Sequence, residues 1–159
     1  MSLKVVILAA GKGTRMKSAM PKVLHRIADK PMVEHVIDAA FDLGANRTIL
    51  VVGHGADQVR DTVTREVDYV EQTEQLGTGH AVQQAVPLLQ PEDTVLVAYG
   101  DVPLTKTATL QKLADDVTDT NLALLTVMMD NPQVMAELSE TGLVRYSELS
   151  SRKMPVASN

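Results

Sequence analysis

The chain has 159 residues, 45% apolar and 22% charged, with a formal net charge of −5 and no cysteine. That suffices for one packed core but hardly for two domains, is too apolar for a disordered chain, and lacks the basic footprint of a nucleic-acid binder. Disulfides and thiolate metal sites are excluded, no apolar stretch reaches membrane-spanning length, and Lys4–Ala10 is too short for a secretory leader, so a soluble cytoplasmic protein is expected.

In chain order, the apolar run Leu3, Val5, Val6, Ile7 and Leu8 predicts a buried first strand that delivers a glycine-rich loop. Pro31 suits a first helical position, with Met32, Val33, Val36, Ile37, Ala40 and Leu43 following at helical spacing and Gly44 as a stop. Thr48–Val52 reads as a second buried strand, Ala56–Glu66 as a polar-faced helix, Val67–Glu71 as a third strand and His80–Leu89 as a helix. Thr94–Ala98 predicts a fourth strand, Thr107–Asp116 a helix and Leu122–Val127 a fifth strand. Unbroken apolar strands alternating with helices imply an α/β fold, a doubly wound and mainly parallel sheet covered on both faces. Ligands of such sheets collect at the carboxyl ends of the strands, where the Gly11 loop, the Gln72 region and Asp101 all fall.

The loop Ala9-Ala10-Gly11-Lys12-Gly13-Thr14-Arg15-Met16, followed by Pro21-Lys22, carries the clearest chemistry. Small residues let backbone N–H groups approach an anion, and Arg15 and Lys22 add two cations, a combination suited to a triphosphate. It is not the dinucleotide fingerprint, because Met16 stands where the third glycine belongs, nor a P-loop, because Lys12 is followed by Gly13. A purely structural turn and solvated surface cations are the bland alternatives.

The string LAAGKGTRMKSAMPKVLH resembles the signature of sugar-phosphate nucleotidyltransferases. Gly53-His54-Gly55, EQLGTGHA (Glu74–Ala81) and YGDVPL (Tyr99–Leu104) narrow the likeness to the uridyltransferase domain of the bifunctional bacterial enzymes that make UDP-N-acetylglucosamine, over roughly residues 3 to 132. The resemblance implies a Rossmann-like nucleotide-diphospho-sugar transferase fold. It also implies the reaction of UTP with N-acetylglucosamine 1-phosphate to give UDP-N-acetylglucosamine and pyrophosphate, a step in cell-wall precursor synthesis. By resemblance Leu8, Ala9, Ala10 and Gly11 hold the nucleotide through their backbone, and Arg15 and Lys22 face the phosphates as catalytic cations. Gln72, Gly77 and Thr78 recognise uracil, with Thr78 equally readable as a helix N-cap. Tyr99, Gly100 and Asp101 complete the nucleotide site, and Asp101 is the Mg²⁺ ligand, where a turn-capping aspartate is the alternative. His54 and His80 read as structural rather than as bases, and Met128 and Met129 as packing residues.

Beyond Pro132 the resemblance stops. The family continues with a threonine–glycine–tyrosine–glycine–arginine segment that contacts the sugar, whereas Gln133–Asn159 carries nothing of the kind. Back-translated with one base restored, Gln133–Ser139 reads TGYGRII, and Glu148–Asn159 in the same phase reads IVEQKDASREQ. Residues 1–132 are therefore expected to be the nucleotide-binding part of a C-terminally incomplete domain. Residues 133–159 are expected to be an out-of-frame tail, in which Asn131 and Pro132 could start a short helix through Leu138; a divergent C-terminus is the alternative. The family's second metal ligand, its sugar-binding residues and its acetyltransferase domain all lie past that point. The chain is then expected to be a nucleotide half-site with little turnover, a UTP-binding remnant, or a related sugar nucleotidyltransferase. It is also expected to self-associate through exposed sheet edges.

Overall fold

Strand β1 (Leu3–Leu8) is followed by a 3-10 turn over Lys22–Leu24, a small hairpin of β2 (Arg26–Ile27) and β3 (Lys30–Pro31), and helix α1 (Met32–Asp42). Then come β4 (Arg47–Val52), α2 (Ala56–Thr62), β5 (Asp68–Glu71), α3 (Thr78–Ala85), a 3-10 turn at Val86–Leu88, β6 (Thr94–Tyr99) and α4 (Thr107–Asp115). The structure, a computed structural model, describes residues 2–11, 13, 16, 18–118 and 121–125. Contacts divide the chain after Leu124, and every described element lies in the first unit.

Four strands form one parallel sheet in the order β5-β4-β1-β6, with Val6 level with Ile49 on one side and Val97 on the other. Alternation along the strands sends side chains to two cores. Val5, Ile7, Leu50, Val52 and Leu96 pack under α1, α2 and α4, contributed by Val33, Ile37, Val59 and Leu110. Val6, Ile49 and Val51 face the other way, onto Ala81 and Ala85 of α3. Both faces of β1 and β4 are thus covered, as the expected doubly wound α/β sheet requires. Among the described residues no helix is long and apolar enough to cross a membrane.

Several boundaries differ from expectation for local reasons. Pro31 is the residue preceding α1, not its first turn, and stays extended at φ −54°, ψ 141°. Helix α2 stops at Thr62 rather than Glu66, because the Thr64 N–H (2.6 Å) and hydroxyl (3.1 Å) are taken by the buried Glu34 carboxylate of α1. Helix α3 begins at Thr78, two residues early, and Pro87, which lacks an N–H, leaves its end as a 3-10 turn. Leu122–Leu125 form no strand; Leu122, Leu124 and Leu125 are exposed, since apolar residues make a strand only where a neighbour accepts their backbone bonds. Thr126 and Val127, with Met128, Met129 and the helix proposed from Asn131, lie outside the described residues.

Candidate functional site

β1 lies where the strand order reverses, between β4 and β6, which makes its carboxyl end the topological switch point. The ladder runs one residue past each strand there: Ala9 N–H donates to Val51 O (2.8 Å), Gln72 N–H to Val52 O (2.8 Å) and Gly100 N–H to Leu8 O (2.9 Å). Four loop starts therefore share one edge. Gly53 lets two of them touch, since a Cβ there would lie 2.9 Å from the Ala10 carbonyl oxygen.

Half-buried Leu8 and buried Ala9 and Ala10 form the floor. The Ala9 N–H is engaged in the sheet. The Ala10 and Gly11 N–H groups make no backbone bond among the described residues. Gly11 is exposed, with open space where a Cβ would point, and Gly79 is equally open. Among the described residues nothing demands glycine at either place, whereas the close approach of a ligand would.

Lys22 reaches this edge because the 3-10 turn that carries it is anchored by buried Pro21, Val23 and Leu24. Val23 packs beside Gly100, where a Cβ would come within 3.3 Å of Val23 Cγ1, and that contact brings Lys22 to Asp101. Lys22 Nζ lies 2.6 Å from Asp101 Oδ2, with the two side chains 42% and 29% exposed. The expected phosphate cation and metal ligand are thus each other's partner. No group of three or more metal-ligating side chains occurs among the described residues. Mg²⁺ is commonly held by one or two carboxylates with phosphate oxygens and water, an arrangement that needs no such group. Arg15 lies outside the described residues.

Gln72 is buried at the end of β5, its amide nitrogen 3.1 Å from the Gly77 carbonyl and 3.0 Å from His80 Nδ1. Gly77, at φ 101°, is the N-cap of α3, and Thr78 is its first residue, so the capping role considered for Thr78 falls to Gly77. Tyr99 ends β6 half-exposed. Sequence reasoning passed over Gln75, whose amide donates to the Ala10 carbonyl and ties the loop after β5 to the loop after β1. A glutamine in a polar run carries no signal of its own; only the shared edge reveals it.

A family model described as a MobA-like NTP transferase domain matches residues 5–153. The chain belongs to this family. Among the NTP transferases most similar to it is the bifunctional protein GlmU of Cellvibrio japonicus, 59% identical over 131 residues, covering 82% of this chain and 29% of that protein. GlmU of Saccharophagus degradans is 53% identical over 160 residues, covering 97% of this chain and 36% of its own length. The chain thus spans about a third of the curated relatives it matches. A solved structure of Rv0371C from Mycobacterium tuberculosis H37Rv, in complex with manganese, matches with a TM-score of 0.61 at 27% identity, covering 72% of this chain and 58% of that one.

Proposed function

We propose that this chain carries the nucleotide half of a uridyltransferase site for the reaction of UTP with N-acetylglucosamine 1-phosphate, in the cytoplasm and with Mg²⁺. The observation that supports it most is the meeting of the β1 loop, Lys22, Asp101 and Gln72 at the switch point. In that reaction a sugar-phosphate oxygen attacks the α-phosphorus in line; the new P–O bond forms as the bond to pyrophosphate breaks, and pyrophosphate leaves with the electron pair. Little covalent work falls to the protein, so positioning and charge neutralisation dominate. Lys22 exchanges Asp101 for a phosphate oxygen, and Arg15, as a planar fork, serves the same anion. Asp101, so released, would hold the divalent ion, which supplies positive charge where the phosphates crowd. The Ala10 and Gly11 amides face the nucleotide, and Gln72, Gly77, Thr78, Tyr99 and Gly100 frame it. A release assay for pyrophosphate with UTP and N-acetylglucosamine 1-phosphate tests the reading: a rate above background that disappears in Asp101→Ala supports it, and a rate indifferent to Asp101 contradicts it.

For residues 133–159 we keep the out-of-frame proposal. A divergent C-terminus is the alternative. The encoding DNA across codons 130 to 160 separates the two.

A further inference from the structure

The Gln72 amide nitrogen has two hydrogens, and two acceptors stand beside it, the Gly77 carbonyl at 3.1 Å and His80 Nδ1 at 3.0 Å. Its Oε1 makes no hydrogen bond among the described residues. Among those residues the only buried side-chain polar atom without a partner is His25 Nε2, so Gln72 Oε1 keeps access to the surface. A ligand therefore meets an acceptor and no donor at this side chain.

That orientation depends on the histidine. Nδ1 accepts only when the ring proton sits on Nε2. Nε2 in turn lies 3.1 Å from the Gln84 amide nitrogen, one helical turn along α3, and that nitrogen is also 3.0 Å from the His80 carbonyl. A neutral imidazole cannot accept at both nitrogens, so one of the two amides must turn its oxygen to the ring. Reversing Gln72 would press Oε1 against the Gly77 carbonyl at a site only 5% exposed. Reversing Gln84 likewise sets its Oε1 near a carbonyl, that of His80, but Gln84 is half-buried and can swing from that carbonyl toward water, a freedom that buried Gln72 lacks. Gln84 Oε1 then accepts from Nε2–H, and Nδ1 is left to accept from Gln72.

We propose that His80 and Gln84 are positioning residues that lock the Gln72 amide with its oxygen toward the ligand, and so set the choice of pyrimidine. A uracil N3–H donates to that oxygen, whereas a cytosine N3 lone pair meets it as a second acceptor and is repelled. The inference rests on the reading of Gln72 as a base contact made above.

Two measurements on the full chain test it. Long-range ¹H–¹⁵N NMR of the histidine rings should show His80 protonated on Nε2; a proton on Nδ1 overturns the lock whatever the chain binds. Calorimetric titration with UTP and with CTP, each with Mg²⁺, should show a preference for UTP of about tenfold or more, the scale of one hydrogen bond. His80→Leu and Gln84→Leu should bring that ratio toward one, mainly by admitting CTP. His80→Asn, whose Oδ1 can stand in for Nδ1, should restore it. Gln84 is half-buried, so its variant reports even where His80→Leu unfolds. A wild-type preference that survives in both leucine variants overturns the lock alone. A wild type indifferent to the base overturns the base-contact reading and the lock with it.

Discussion

At the scale of single residues, the Lys22–Asp101 pair separates binding from stability. Both side chains are partly exposed, so the pair contributes under about 1 kcal/mol to the fold. Against a triphosphate the same ammonium makes charge-assisted hydrogen bonds. Lys22→Ala should therefore weaken Mg²⁺–UTP binding by about 1.5–3 kcal/mol while the urea midpoint barely moves; a large loss of stability with unchanged affinity would place Lys22 in the scaffold instead. Arg15→Ala should weaken binding on the same scale, an expectation that stands on sequence alone. Gly79 gives a test of opposite signs. It sits in the first turn of α3 with open space at the Cβ position, so Gly79→Ala should stabilise the fold by about 0.5–1 kcal/mol. If a nucleotide fills that space, the same methyl lowers its affinity, and thermal unfolding with and without UTP reads both effects at once.

Among the elements, β5 is the edge strand behind Gln72 and is tied to β4 by Arg47–Asp68 at 2.5 Å. The hydrogen bond from Arg47 leads in holding the Asp68 carboxyl below the usual carboxylate range, and the Arg47 charge adds to it. A carboxylate lowered in the folded state stabilises the fold above its unfolded value of about 4. That contribution is lost as pH falls through the lowered value. Asp68→Asn should thus be less stable than the wild type at pH 7, by under about 1 kcal/mol for so exposed a pair. The gap should close in paired urea titrations as the pH falls below the ordinary carboxylate range; a constant gap would mean a packing effect. The legibility of the elements follows from where their information lies. β1 and β4 were readable because apolar β-branched runs buried on both faces need no further context, and β6 because its Val95–Ala98 run is apolar even though one face is exposed. The β2–β3 hairpin was not, since its turn uses Ala28 and Asp29 at φ 49° and 61° where glycine or asparagine would have signalled it. The end of α2 was hidden because Glu34, thirty residues earlier, decides it. In the site, Lys22 and Asp101 were legible one by one through the resemblance. Their mutual pairing depends on Val23 meeting Gly100, which no local pattern records.

For the molecule as a whole, two features govern behaviour: a sheet edge that is open among the described residues, and a net charge of −5. Among the described residues β6 ends the sheet, and Val95, Val97 and Tyr99 on one face of it are more than a third exposed. Such an edge invites pairing with a second copy. Sedimentation should find concentration-dependent dimers or larger species that Val97→Lys disperses, and a strictly monomeric wild type at high concentration would remove the proposal. The net negative charge means that a triphosphate gains little from the global field and must be held by local cations and a metal. The most direct test of the account is calorimetric titration of the chain with UTP and with ATP, each with and without Mg²⁺. UTP binding that requires Mg²⁺ and exceeds that of ATP is the predicted result; equal binding of the two nucleotides, or none, would contradict the assignment of the switch-point edge to a uridine triphosphate.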